Sequence, residues 1–107
     1  MSLDVSLFGV RLIPIFEATI THNLTRMADA AGIYRTVWRP EELGIKNARK
    51  LIQPLEEGIA LLKSDPERFR QFDSPNNWGT YDQFVPWLER YILACRKNPD
   101  AEIGVFR

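Results

Sequence analysis

The chain has 107 residues, of which 45% are hydrophobic and 26% charged. A chain of this length and composition can bury enough apolar surface to fold as a single domain over residues 1–107 without disulfides or structural metals. Its 14 basic and 14 acidic side chains give a formal net charge of zero. A neutral chain has no long-range field that would attract a polyanion, so we expect no nucleic-acid partner.

The inventory of cysteine, histidine and glycine argues against bound metals and cofactors. Cys95 is the only cysteine and His22 the only histidine, which together cannot supply the nitrogen and sulfur ligands of a zinc or iron site. The six glycines form no phosphate-binding motif. We therefore expect no metal and no cofactor, with metal binding through oxygen ligands alone as the alternative that these residue types leave open.

The sequence shows neither a signal peptide nor a segment near the roughly 20 apolar residues that cross a bilayer. A single cysteine also excludes an intrachain disulfide and suits a reducing compartment. We expect a cytoplasmic protein with no membrane partner.

Alternating β-prone residues at both ends of the chain predict strands. The first runs from Leu3 to Ile13 and ends at Pro14, and the second covers 101–106 after a turn at 98–100. A two-stranded ribbon is marginal in water, so the terminal strands should pair with each other or with a third segment at 16–20, and pack on helices. The prediction is an α+β fold in which three to four helices cover a small antiparallel sheet that includes the N- and C-terminal strands.

The first helix is predicted from the apolar spacing in residues 24–31. Thr21 or Asn23 is the expected N-cap, because short polar side chains satisfy the free N–H groups of a helix start. Gly32 is the expected stop, because glycine readily adopts the left-handed conformation that ends helices.

The strongest periodic signal is an apolar stripe from Ile45 to Leu62. Pro54 interrupts it, so the helix either kinks there or restarts with Pro54 in its first turn, and the continuous stripe favours a kink. Residues 65–67 predict the start of a brief helix, with an aspartate cap followed by proline. Thr80 and Gln83 have the spacing of a capping box at the start of the last helix.

His22 is the best catalytic candidate, because its unperturbed pKa lies near neutrality and its neighbours Thr21 and Asn23 could orient it. The alternative is a histidine that hydrogen-bonds locally at a helix start. No nucleophile or orienting partner is recognisable in the sequence, so enzymatic activity stays open but is not favoured.

Two regions combine tryptophan with polar side chains. Trp38 precedes Arg39, and Asn77 and Trp78 lie near Tyr81 in a polar loop. An indole beside a guanidinium or amide can sandwich a ligand or form a protein-binding hot spot. The same residues can also serve mainly as packing and turn elements, and the sequence leaves both interpretations open.

Several short segments together resemble a family of small uncharacterised proteins from bacterial and phage genomes. The resemblance would cover nearly the whole chain and is carried by residues 21–24, 27–28, 31–34, 38–42, 77–81 and 98–101. It implies no activity and no site residues. A phage-type setting would favour a protein that blocks a host factor or captures a small signalling molecule.

The leading hypothesis is a non-enzymatic binding domain, with an unknown protein or small molecule as partner and the aromatic and polar residues as contact surface. The alternative is capture of a nucleotide or acidic metabolite by a pocket. The third hypothesis is an enzyme that uses His22 as acid or base. A homodimer is also open, because a small sheet has edges that a second copy could cover. The residues proposed for binding a ligand or partner are His22, Asn23, Trp38, Arg39, Asn77, Trp78 and Tyr81.

Overall fold

The computed structural model describes residues 1–107 except the side chain of Leu12. Three antiparallel strands form one sheet in the order β2-β1-β3, namely β1 Ser2–Phe8, β2 Pro14–Thr21 and β3 Glu102–Phe106. In the central strand, Val5 faces Ala18 on one side and Val105 on the other. The terminal strands are direct neighbours, and the predicted α+β fold is confirmed.

The first strand is shorter than predicted. It ends at Phe8 rather than Ile13, and the chain reverses through a 3-10 turn at Val10–Leu12 in which Arg11 has a positive φ of 64°. Pro14 begins β2 instead of stopping a strand. Proline is tolerated as the first residue of an edge strand, because no neighbouring strand needs its missing N–H.

Five α-helices cover one face of the sheet, joined by short 3-10 turns at His22–Leu24 and Pro40–Leu43. They are α1 Thr25–Ala30, α2 Tyr34–Trp38, α3 Arg49–Ser64, α4 Pro66–Arg70 and α5 Tyr81–Lys97. The predicted caps are present: Thr21 Oγ1 accepts the N–H of Asn23, Asp65 Oδ1 that of Arg68, and Gln83 Oε1 that of Thr80. Helix α2, with five residues, is too short for its periodicity to have shown in the sequence.

Helix α3 begins four residues later than the apolar stripe indicated. Residues 45–47 run beside β3, where the Ile103 N–H donates to Lys46 O at 3.0 Å. Ile45 reaches the core from this non-helical segment, and Ala48 reaches it as the N-cap of α3, so both continue the apolar pattern without belonging to one helix. The helix then continues without interruption through Pro54, which excludes the predicted alternative of a restart.

One apolar cluster lies between the sheet and the helices. Leu3, Val5 and Leu7 of the central strand are fully buried in it. The stripe of α3 and the inner face of α5 pack against each other on the far side. Among the described residues, no helix is both long and apolar enough to cross a membrane.

Candidate functional site

The loop before α5, residues 74–80 and here called the Trp78 loop, is held by its own hydrogen bonds. Asn76 Oδ1 accepts the Trp78 N–H at 2.9 Å, and the Ser74 N–H donates to Gly79 O at 2.9 Å. Asn77 has a positive φ of 62°, a conformation that asparagine tolerates better than most residues. The loop is therefore a fixed turn.

A second set of contacts joins the Trp78 loop to the turn that follows β2. Asn23 Nδ2 donates to Trp78 O at 2.7 Å. Gly79 lies so close to this turn that a Cβ there would be 3.0 Å from Asn23 Cβ and 3.1 Å from Thr21 Cγ2. Two segments that are far apart in the sequence thus meet at the end of the sheet.

The indole of Trp78 projects from this junction and is 70% exposed. Next to it lies an open depression of about 780 Å³, here called the Trp78 groove. A smaller depression of about 270 Å³ lies on the side of Met1 and Asn76. An exposed tryptophan between two concave surfaces is suited to contact with another molecule.

His22 accepts a hydrogen bond from the side chain of a core residue. Its Nδ1 accepts a hydrogen bond from Trp38 Nε1 at 2.8 Å, so the proton of the neutral ring lies on Nε2. Trp38 is only 1% exposed and packs against Tyr34 and Phe84. The histidine thus satisfies the indole N–H of a core tryptophan 16 residues further along the chain, and not a group at its own helix start.

The guanidinium of Arg39 donates hydrogen bonds to two nearby side chains. Its Nε donates to the Tyr34 hydroxyl at 3.1 Å and its Nη1 to Glu42 Oε2 at 3.4 Å. The hydrogen bond with Tyr34, followed by the charge of Glu42, raises the pKa of Arg39 above its ordinary value. Arg39 is not among the residues that line either depression beside Trp78.

Tyr81 is buried to 7% exposure, and its hydroxyl donates to Leu62 O at 2.9 Å. Its N–H donates to Asp73 Oδ1 at 2.7 Å, which caps the start of α5. The guanidinium of Arg70 lies 4.8 Å from its ring centroid. Tyr81 therefore anchors the last helix and is not accessible to a partner.

The seven predicted residues thus divide by location. Asn77 and Trp78 lie on the surface at the Trp78 groove, and Asn23 supports them from below. The remaining four make contacts within the fold: His22, Trp38, Arg39 and Tyr81.

Sequence reasoning missed the residues that α5 contributes to the groove. Asp82, Pro86 and Arg90 line it, together with Gln83 and residues 19–21 of β2. Asp82, Pro86 and Arg90 are spaced four residues apart, which places them on one exposed stripe of the helix. That spacing was visible in the sequence, but the neighbouring strand that turns the stripe into a groove was not.

The structure contains few groups prepared for chemistry. Among the described residues, no group of three or more histidine, cysteine, aspartate or glutamate side chains is placed to hold a metal ion. Burial raises the pKa of the Cys95 thiol to about 12, which disfavours the reactive thiolate.

No protein-family model, no curated protein and no solved structure matches this chain. The resemblance described from its motifs therefore stays a prediction.

The contact between His22 and Trp38 predicts a measurable coupling in stability. His22→Ala leaves the buried indole N–H without an acceptor, so it should lower the free energy of unfolding by about 1–3 kcal/mol. In a Trp38→Phe background the N–H is already gone, and the same change should cost about 1 kcal/mol less. Urea denaturation of the four proteins in this cycle measures the difference. Equal costs of His22→Ala in both backgrounds would show that the hydrogen bond does not hold the histidine.

The close approach at Gly79 predicts that replacing this glycine destabilises the fold more than replacing a glycine with open space around it. Gly79 has φ +116°, outside the range that side-chain-bearing residues adopt easily, and a Cβ would also press on Asn23 and Thr21. Gly79→Ala should therefore lower the free energy of unfolding by about 2–4 kcal/mol. Gly32→Ala is the matched control, because Gly32 has φ +77° with open space around it, and it should cost about 1–2 kcal/mol. Equal stabilities of the two variants in denaturation curves would contradict the close packing of Gly79 against Asn23 and Thr21.

Proposed function

We propose that this chain is a non-enzymatic binding domain that contacts a protein partner through Trp78 and the Trp78 groove. The observation that carries the proposal is an indole that is 70% exposed on a loop whose backbone is hydrogen-bonded from both sides. Burying such a side chain in a partner removes a large apolar area from water. Because the loop is already ordered, binding would cost little conformational entropy.

The shape of the surface supports a macromolecular partner. The Trp78 groove is an open depression on the surface, whereas small-molecule sites bury most of their ligand. Its lining mixes apolar surface from Pro86 and Trp87 with the polar ends of Gln83 and Arg90. Tryptophan and arginine near the centre of a contact surface are the residues that most often dominate binding energy.

Capture of a small ligand by His22, Asn23, Arg39 and Trp78 has less support. His22 Nδ1 accepts from Trp38, Asn23 donates to Trp78 O, and Arg39 donates to Tyr34 and Glu42. A ligand would have to compete with these bonds. The same point weakens an enzymatic role for His22, whose Nδ1 is engaged by a core residue.

Substitution of Trp78 should remove partner binding without unfolding the protein. Trp78→Ala deletes an exposed side chain, and surface substitutions of this kind usually change stability by less than about 0.5 kcal/mol. Leu43→Ala is the matched control, because Leu43 is an exposed apolar residue outside the linings of the two depressions beside Trp78. We expect at least about a tenfold loss of captured partner for Trp78→Ala and none for Leu43→Ala.

The measurement is quantitative affinity capture from a lysate of the encoding organism, with the wild type and both variants immobilised in equal amounts. Circular dichroism and thermal denaturation confirm that all three are folded. Proteins retained equally by the wild type and a folded Trp78→Ala would contradict the proposal.

A further inference from the structure

One edge of the sheet is open along its whole length. β2 pairs only with β1, whereas the outer side of β3 is met by the chain around Lys46. There the Ile103 N–H donates to Lys46 O at 3.0 Å, and the Ala48 N–H donates to Ala101 O at 2.9 Å. β2 is therefore open along its whole outer side, whereas the cover on β3 extends only to Ile103.

The pairing register of β1 with β2 shows which residues of β2 have backbone N–H and C=O groups that point away from the sheet. The His22 N–H donates to Met1 O at 3.2 Å, one step beyond the facing pair Ser2 and Thr21. In an antiparallel ladder, hydrogen-bonded and non-hydrogen-bonded pairs alternate. The backbone of Ala18 thus bonds to β1, while the N–H and C=O groups of Glu17 and Thr19 point away from the sheet.

This edge has few of the devices that usually block strand addition, and Glu17 is its only charged side chain. Natural edge strands are often interrupted by proline, lysine or a bulge. β2 contains no lysine, and its single proline is its first residue. The irregularity in its pairing lies at the opposite end from Thr19, beside Pro14.

Beneath the edge, a groove runs between β2 and α5. At one end it is the Trp78 groove, and at the other it is an apolar depression of about 310 Å³ that includes Phe16, Leu93 and Ala94. Arg90 lines both parts, so they adjoin. The helix side is one stripe at helical spacing, formed by Asp82, Pro86, Arg90, Leu93 and Lys97.

The charge of this groove is unbalanced. Asp82 is paired with Arg70, with Oδ1 and Nη2 2.9 Å apart. Among the described residues, Arg90 and Lys97 form no ion pair. Two uncompensated cations beside an apolar floor favour an occupant that alternates apolar and acidic side chains.

We infer that an extended, acidic and apolar segment of the partner adds to β2 as a fourth strand. Its backbone pairs with Glu17 and Thr19, and every second side chain enters the groove, with carboxylates near Arg90 and Lys97. The inference rests on the proposed function, since Trp78 forms one end of the groove. β2 has eight residues, so a segment of about six to eight residues suffices.

A second copy of this chain fits the same edge less well. Two β2 strands related by a two-fold axis would bring equivalent grooves together side by side. Arg90, which lies between the two parts of the groove, would then approach its own counterpart. Like charges in that position oppose the pairing.

The test uses a displayed library of random dodecapeptides selected on the immobilised wild-type protein. Enriched peptides are then measured against Trp78→Ala, Thr19→Pro and Thr19→Val. Thr19→Pro removes the outward N–H at an edge position where proline is tolerated. Thr19→Val is its matched control, because it keeps the N–H and the β-branched shape but loses, as the proline does, the side-chain hydrogen bond to Asp4.

We expect peptides with alternating acidic and apolar residues, whose affinity falls at least tenfold with Thr19→Pro and stays within twofold with Thr19→Val. Hydrogen exchange of the wild-type complex gives a readout that does not depend on folding of the variants. The amides of Glu17 and Thr19 should become protected when peptide is bound, whereas Ala18 should already be slow in the free protein.

Other outcomes would overturn the inference in distinguishable ways. Peptides that need Trp78 but ignore Thr19→Pro, without new protection at Glu17 and Thr19, would refute strand addition and leave the proposed function standing. Peptides without acidic residues would refute the charge assignment. A concentration-dependent dimer that protects the same amides would make a second copy the occupant. No enrichment of any Trp78-dependent peptide would count against the proposed function itself.

Discussion

The hydrogen bond from Asn23 Nδ2 to Trp78 O, at 2.7 Å, is the contact on which the arrangement of the site depends. It joins the turn after β2 to the loop before α5, two segments separated by more than half of the chain. Gly79 makes the approach close enough, because any side chain there would press on Asn23 and Thr21. Helix α5 begins at this junction and runs across the sheet, where Tyr91 stacks on Phe16 with ring centroids 5.9 Å apart.

At the same junction, polar side chains are engaged in hydrogen bonds that hold the surface in place. Asn23, Asn76 and Gln83 use their amides to hold the Trp78 loop, and His22 uses Nδ1 to hold Trp38. These paired side chains stabilise the shape of the loop and of the core beneath it. The proposed contact surface is made of the exposed indole, the adjoining groove and the unpaired charges of Arg90 and Lys97 along α5. A chain with no net charge can still recognise a charged partner, because these groups act at contact distance.

Local sequence signals predicted most strands and helix starts. The errors lie where the structure depends on contacts between residues far apart in the sequence. Alternation at the chain ends gave the two terminal strands, and capping residues gave three helix starts. The prediction that Pro14 ends the first strand was wrong, because proline can end one strand or begin the next. Which of the two occurs depends on where the hairpin turn lies. The stripe from Ile45 predicted too early a helix start, because Ile45 packs against the core from the non-helical segment beside β3 and Ala48 is already the N-cap of α3. At the site, Trp38 and Trp78 looked alike in sequence. Their separation into a buried and an exposed indole depends on partners, His22 and Asn23, whose positions periodicity cannot show.

The central claim is that Trp78 is presented on a fixed loop held by Asn23, and backbone ¹⁵N relaxation of residues 74–80 tests it most directly. In the free wild-type protein we predict order parameters of about 0.85, as in the helices. In Asn23→Ala we predict a fall at Trp78 and Gly79, and a smaller change at Ser74 and Asn76, which the loop's own hydrogen bonds still hold. Thr25→Ala, a nearby change that leaves the junction intact, should keep the wild-type values. Low order parameters in the wild-type loop itself would contradict the claim, because the indole would then be mobile before any partner arrived.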